Sequence, residues 1–274
     1  MPNLTSLPAV STDKTQFNPE AYGQSGQIGG AIASISAVLP AHNEAANIEQ
    51  VVEATCEALR GVVSDYEVII VDDGSTDETP RLADSLAERY PQVRVVHHPH
   101  NRGYGSAWRS GIAAAAKQYI FFLDSDRQFD PREIGLLVQW GTSYDIVAGY
   151  RIHRNDPLYR TLNASCFHLL VRLLFGVHVR DLDCGFKLFR ASLLKGMPLE
   201  SPGALINAEI HYFARVWQAT LREVGVHHFP RKAGKQSGAS LRVVLRAASE
   251  LVALRRRMTQ RSLSSSVDAS PTVQ

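Results

Sequence analysis

Cysteine is scarce: Cys56, Cys166 and Cys184 are the only three in 274 residues. They lie far apart, form no CxxC pair and make an odd total, which argues against a disulfide framework and against a zinc site. Buried free thiols in a reducing compartment are the expectation. Long apolar runs are missing too, since no stretch reaches the roughly 18 uninterrupted apolar residues of a spanning helix. Residues 1–33 show neither the basic start nor the apolar core of a signal peptide and read as a disordered lead-in. Residues 262–274 read the same way. Neither sign of charge dominates: the formal net charge is +2, so bulk charge implies no nucleic-acid partner. No internal repeat is visible. The ten histidines, His97, His98, His100, His227 and His228 among them, keep no consistent metal spacing and read as solvated or structural.

What remains is ordinary globular material, 45% hydrophobic and 20% charged. Its charge is unevenly spread. Between Thr220 and Arg261 ten Lys/Arg face two acids, a balance of +8 that leaves −6 for the rest. From Ile32 onward the pattern is regular. "IASISAVLP", "YEVIIVDDG", "VRVVHH" and "YIFFLDSD" read as strands. "EAANIEQVVEATCEAL", "TPRLADSLAERY" and "SAWRSGIAAAAKQ" read as helices between them, the first with Ile48, Val51, Val52 and Leu59 on one face. Pro80 suits an early helical position, with Asp77 or Thr79 as cap; Asn43 could cap the first helix. Strands apolar on both faces, alternating with helices, imply a mostly parallel sheet covered on both sides.

Polar residues gather where the strands stop: Pro40 to Glu44, Asp72 to Ser75, Asn101 to Gly105, and Asp124 to Gln128. Singly, each cluster reads as well as turn chemistry; Asp130-Pro131, for example, could simply open a helix. Ligands of open α/β sheets bind outside the carboxyl ends of the strands, so four clusters at corresponding places point to a site. Asp124 and Asp126, one residue apart, repel each other unless a cation neutralises them. A dinucleotide fingerprint is excluded. "GYGSAW" begins like one, and Asp124 lies about twenty residues on, as the rule expects. However, Trp108 occupies the third glycine position, where its bulk would spoil the close helix-to-strand packing that glycine permits, and "HPHNR" separates the strand from Gly103. Gly103 and Gly105 instead let the chain pass close to a ligand or to another loop.

Seven segments, "VLPAHNEAANI", "VIIVDDGSTDET", "NRGYGSAWRSGI", "FLDSDRQFDP", "VAGYR", "RDLDCGFKLF" and "RKAGKQS", occur in register from about Ser34 to Ser237. In these the chain resembles the family 2 glycosyltransferases of the GT-A fold, within the polyprenol-phosphate (dolichol-phosphate mannose synthase-like) branch. The resemblance implies a GT-A-type nucleotide-diphospho-sugar transferase domain over residues 34–238. It places Pro40, Glu44 and Asp72 at the base and ribose of a UDP- or GDP-sugar, and counts Asp73, Gly103 and Gly105 with the nucleotide-sugar-binding residues. Asp124 and Asp126 match the acidic motif, with Asp126 and Gln128 placed to hold Mg²⁺ or Mn²⁺. Arg151 and Arg160 would face the diphosphate or the acceptor phosphate, and Arg231 and Lys235 would close over the same charges. The last motif departs from its usual Gly-x-Ser-Lys ending, reading Gly234-Lys235-Gln236-Ser237-Gly238.

These roles suit the chemistry. A nucleoside diphosphate leaves readily only when a divalent ion and nearby arginines offset its developing charge. Oxygen ligands from Asp and Gln suit a hard cation. The favoured acceptor is a polyprenyl phosphate, with inversion at the transferred carbon. A phosphate monoester, with a second pKa of about 6, is already ionised and needs no general base. A soluble or polysaccharide hydroxyl is the alternative and would need a carboxylate base. Asp181 and Asp183 are the available carboxylates, and Asp181 reads at least as well as a hydrogen-bonded structural residue as it does as that base. A non-catalytic membrane-associated binding protein is a third reading, against which the intact acidic motif argues. "RTLNASCFHLLVRLLFGV" is a core helix or an apolar wall beside a lipid. Residues 239–261 read as a basic amphipathic helix with Leu241, Val244, Leu245, Ala248, Leu251 and Val252 on one face, suited to an anionic membrane surface or to packing on the domain. The expected location is cytoplasmic, peripheral on the inner face of the membrane.

Overall fold

Strands β1 (Ser34–Ala41), β2 (Asp65–Asp72) and β4 (Tyr119–Leu123) form because their apolar residues alternate between two buried faces. Ile35, Ala37 and Leu39 of β1, Val68 and Ile70 of β2, and Tyr119, Phe121 and Leu123 of β4 enter one core. Val38, Ile69, Val71, Ile120 and Phe122, the intervening residues, enter the other. The computed structural model describes residues 32–152 and 168–231, together with Leu254. Among these, β3 (Val93–His97), β5 (Ile146–Arg151), β6 (Phe186–Arg190) and β7 (Leu221–Val226) complete a seven-stranded sheet of order β3-β2-β1-β4-β6-β5-β7. All neighbouring strands run parallel except β6, which is antiparallel to both β4 and β5.

Helices α1 (Ile48–Arg60), α2 (Thr79–Arg89) and α4 (Ile134–Gly141) cover the first face. In α1, Ile48, Val51, Val52, Thr55, Cys56 and Leu59 are buried, a helical stripe in which each large apolar side chain contributes about 1.5–3 kcal/mol. Helices α3 (Tyr104–Ala114), α6 (Ala191–Gly196) and α7 (Ile206–Val216) cover the second. Trp108 does not hold α3 away from the sheet. Its ring stacks on Phe122 at 3.5 Å, and closeness is granted by Gly111, where a Cβ would lie 2.2 Å from Val38 Cγ1. Asn43 does not cap α1 either. It adopts φ +58°, and its side-chain oxygen accepts from Thr76 N at 2.8 Å, joining the first two strand-end loops. Asp77 accepts from Thr79 N, and Asp130 caps the short 3-10 turn Pro131–Glu133 that leads into α4.

Helical residues 168–175 (α5) divide their apolar side chains. Val171 and Phe175 join Val177, Leu182, Leu205, Ala208 and Leu254 in a third cluster, whereas Leu169, Leu170 and Leu173 are exposed. Leu254, 2% exposed, is the one described residue of the 239–261 segment, so the face from Leu241 to Val252 lies outside the described residues. Arg160, Lys235 and the lead-in before Ile32 also lie outside them. Cys56 and Cys184 are buried thiols, pushed up by burial to about 11 and about 12.

At the amino end of the sheet, Glu67 ties three segments together. It accepts from Ser36 Oγ (2.5 Å), Ala116 N (2.6 Å) and Arg94 Nε (2.9 Å). Burial opposes its charge, but these hydrogen bonds outweigh it and hold the carboxyl below its usual range. A depressed folded-state pKa contributes stability above the unfolded value, about 4.3, that is lost as pH falls below it. Glu67→Gln should therefore cost about 1–2 kcal/mol at pH 7 and much less at pH 3.5, read from urea melts at both values. An equal loss at both would assign the effect to packing.

Candidate active site

The strand-end loops converge because β1, β2 and β4 run side by side and stop together. Asp73 N donates to Ala41 O (2.9 Å), Asn43 N to Ser75 Oγ (3.0 Å) and Ser125 Oγ to Pro40 O (2.9 Å). Asp124 leaves β4 with its N–H on Gly185 O (3.3 Å) and its Oδ1 accepting from Tyr104 OH (2.8 Å). Its Oδ2 lies where a Cβ on Gly185 would be, 1.9 Å from that position. The chain then turns through Arg127 at φ +62°, and Asp126 Oδ1 accepts from Gln128 N (3.1 Å). Burial, and for Asp124 the charge of Asp126, hold both carboxyls above their usual range. Gln128 donates its side-chain amide nitrogen to Phe229 O (3.2 Å), a bond that does not use its side-chain carbonyl oxygen.

Arg231 brings two of the expected residues to the same place. Its Nη2 bonds Glu44 Oε1, and its Nη1 lies 3.5 Å from Asp126 Oδ2. Burial raises the Glu44 carboxyl despite this partner and the Asn47 amide on its other oxygen (2.7 Å). Asp72 is buried, with Oδ2 on His97 Nδ1 (2.9 Å) and Oδ1 accepting from Ser75 N (3.0 Å); His97 reaches on to Asp84.

Asp73, Gly103 and Gly105 meet in a junction between loops. Asp73 accepts from Arg102 N (2.9 Å) and Gly103 N (2.8 Å) and bonds His98 Nδ1 (2.6 Å). Gly103, at φ +94°, and Gly105 lie against the 201–203 loop, where Cβ atoms would be 2.6 Å from Pro202 O and 2.2 Å from Ser201 O. Pro202 O in turn accepts from Gly105 N (2.8 Å), and Glu209 holds the loop through Ser201 N (2.8 Å). Of the two readings of these glycines, close approach to another loop is the one observed.

Arg151 ends β5 with its guanidinium on Asp181 in a two-pronged ion pair, Nε to Oδ2 at 2.6 Å and Nη2 to Oδ1 at 2.7 Å. Arg151 N adds a third bond to the same carboxylate at 3.2 Å. Asp183 sits beside His168 (3.2 Å). Sequence reasoning passed over Tyr104, Gly185 and Lys187. Only Lys187 carried a visible signal, a lysine inside the apolar run "CGFKLF". Among the described residues, no group of three or more His, Cys, Asp or Glu could hold a metal by itself.

The model of the family described as "Glycosyl transferase family 2" matches residues 36–197. An undecaprenyl-phosphate 4-deoxy-4-formamido-L-arabinose transferase of Pectobacterium carotovorum subsp. carotovorum is 30% identical over 217 residues, covering 78% of this chain and 65% of that one. A dodecaprenyl-phosphate galacturonate synthase of Rhizobium johnstonii is 31% identical over 210 residues, covering 73% and 60%. The chain thus spans less than two thirds of the length of these relatives. Among solved structures, glucosyl-3-phosphoglycerate synthase from Mycobacterium tuberculosis with phosphoglyceric acid aligns at TM-score 0.60 and 25% identity, covering 85% of this chain and 79% of that one. The same enzyme with Mn²⁺ and UDP-glucose aligns at TM-score 0.62 and 24% identity over 81% of this chain and 79% of that one, a likeness of fold.

Proposed function

Because the chain belongs to glycosyl transferase family 2, we propose that it moves a sugar from a UDP- or GDP-sugar to a polyprenyl phosphate, with inversion and a divalent metal, at the strand-end site. Relatives named for undecaprenyl and dodecaprenyl phosphate support the acceptor. The observation that carries it is the Arg151–Asp181 pair. A carboxylate held by a two-pronged arginine is a poor general base, and a hydroxyl acceptor would need one. An ionised phosphate does not.

The residues present fit a divalent cation. Two carboxylates that burial, and for Asp124 the charge of Asp126, hold above their usual range, beside a glutamine carbonyl, form an all-oxygen set for Mg²⁺ or Mn²⁺. With no third acid completing a cluster among the described residues, phosphate oxygens of the donor or water would complete the ligands. When bound, the metal supplies charge neutralisation at the leaving diphosphate. Asp126 and Gln128 would hold it, Asp124 fixed by Tyr104 would orient the donor, and Arg231 would turn from the acids to the phosphates. The test is nucleotide release across a panel of UDP- and GDP-sugars, with Mg²⁺, Mn²⁺ or chelator, and with and without polyprenyl phosphate. Release stimulated by the lipid phosphate and lost with chelator supports the reading. Stimulation by soluble hydroxyl acceptors alone would transfer it to the alternative.

Among the described residues no helix is long and apolar enough to cross a membrane. The lipid surface is met, in this reading, by the exposed face of α5: Leu169, Leu170 and Leu173, the last 71% exposed, with Arg172 beside them. Apolar side chains entering the headgroup region next to a basic residue give reversible, salt-sensitive attachment to anionic lipid. Changing all three leucines to Ser should weaken flotation with phosphatidylglycerol vesicles at least about tenfold, without lowering the melting temperature. Equal flotation would remove this face from the account.

A further inference from the structure

Lys187 is the one lysine among the largest fully buried side chains of the described residues, 0% exposed as the second residue of β6. Its neighbours in the sheet are Phe122 of β4, the strand that delivers Asp124, and Ala148 of β5, the strand that delivers Arg151. Its Nζ donates to Leu182 O at 2.7 Å, in the peptide that joins Asp181 to Asp183, and to Asn207 Oδ1 at 2.8 Å. Among the described residues it makes no ion pair with a carboxylate. Both partners are neutral, so its charge is cancelled by no single acid. Arg231 stands against Glu44 and Asp126, and Arg151 against Asp181. His211 is no competing cation: burial and the Lys187 charge push it down to about 3, and its Nδ1 bonds Asn207 O (2.8 Å).

We propose that Lys187 is the buried counter-charge of the active site, a fixed ammonium whose field stabilises negative charge on Asp124, Asp181 and Asp183 and on the departing nucleoside diphosphate. Interior burial of a lone ammonium is costly and favours loss of its proton. Burial lowers the Lys187 pKa on balance, and the negative charges of Asp183, Asp181 and Asp124 oppose that loss. A charge fixed in a low-dielectric interior acts on groups it does not touch and needs no rearrangement as charge develops. Lys187 is therefore a supporting residue, acting through space. The inference rests on the transferase reading, since it takes the diphosphate as the leaving group.

Its signature is a difference between two ligands. A free nucleoside diphosphate carries more negative charge than its sugar ester, so removing the cation should penalise the diphosphate more. Calorimetry with Mn²⁺ and either UDP and UDP-glucose or GDP and GDP-mannose, whichever pair the wild type binds, reads this without turnover. Lys187→Met should weaken the diphosphate about tenfold and the sugar nucleotide about threefold or less. The variant gives up the bonds to Leu182 O and Asn207 Oδ1, so its melting temperature should fall, while Met fills the same buried volume and keeps the chain folded for the measurement. Asn207→Asp, which pairs Lys187 in place, should give the same difference and decides the matter if the first variant does not fold. Equal weakening of both ligands, or wild-type affinity for both, overturns the proposal. If the wild type binds neither nucleotide, the transferase reading falls and this inference with it. Binding with no transfer to any acceptor would sink that reading and the leaving-group role with it, while the difference between the two ligands would still decide whether Lys187 acts on a bound diphosphate.

Discussion

Asp126→Ala is expected to lower metal-dependent turnover of the sugar nucleotide by about a thousandfold while leaving the melting temperature within a few degrees of wild type. The carboxylate contributes little to the fold. It accepts one bond from Gln128 N within its own turn and stands 3.5 Å from an arginine that keeps Glu44 as its other partner. Its removal also relieves the repulsion that, together with burial, lifts Asp124 above the usual carboxylate range. Among the described residues the neighbouring acids are engaged elsewhere: Glu44 is held by Asn47 and Arg231, and the Asp124 carboxylate by Tyr104. Turnover should be measured against Mn²⁺ concentration. A variant with the wild-type rate and the same Mn²⁺ dependence removes Asp126 from the metal site.

Gly185→Ala should separate activity from stability at a residue that carries no chemistry. A Cβ there would lie 1.9 Å from Asp124 Oδ2 and 2.3 Å from Cγ, so the carboxylate must swing away. That breaks the 2.8 Å bond from Tyr104 and moves the first acid of the motif by about an ångström or more, a displacement that costs on the order of a hundredfold in rate. The obstruction is the end of a side chain and not backbone, so the sheet between β4 and β6 should survive. Steady-state kinetics and a thermal melt together check it. An active variant would mean that the position of Asp124 is unimportant; an unfolded one would mean that the glycine serves the fold.

The parallel half of the sheet was legible because burial on both faces demands near-continuous apolar residues, and "VIIV" and "YIFFL" display them. The strand-end acids stood out because nothing in a core explains charge at those positions. β6 was harder to place. Five residues long, it inserts antiparallel between β4 and β5, and hydrophobic pattern carries no strand direction. Partners were hidden for a different reason. That Asp181 holds Arg151, 30 residues away, or that Arg231 reaches Glu44, 187 residues away, depends on how the sheet brings strand ends together, not on local pattern. Trp108 shows the limit of reading bulk from a single residue. It counted against close packing of α3, yet it lies flat on Phe122 while Gly111 makes the approach.

The central claim is that this site joins a sugar to a lipid phosphate. Its most direct test is product identification by mass spectrometry after incubating the purified chain with Mn²⁺, a polyprenyl phosphate and each UDP- or GDP-sugar in turn. The account predicts, for one donor, a lipid phosphate heavier by one sugar residue, formed one for one with nucleoside diphosphate and carrying the inverted anomeric linkage. Nucleotide released with the lipid phosphate unchanged, whichever donor is supplied, would contradict it.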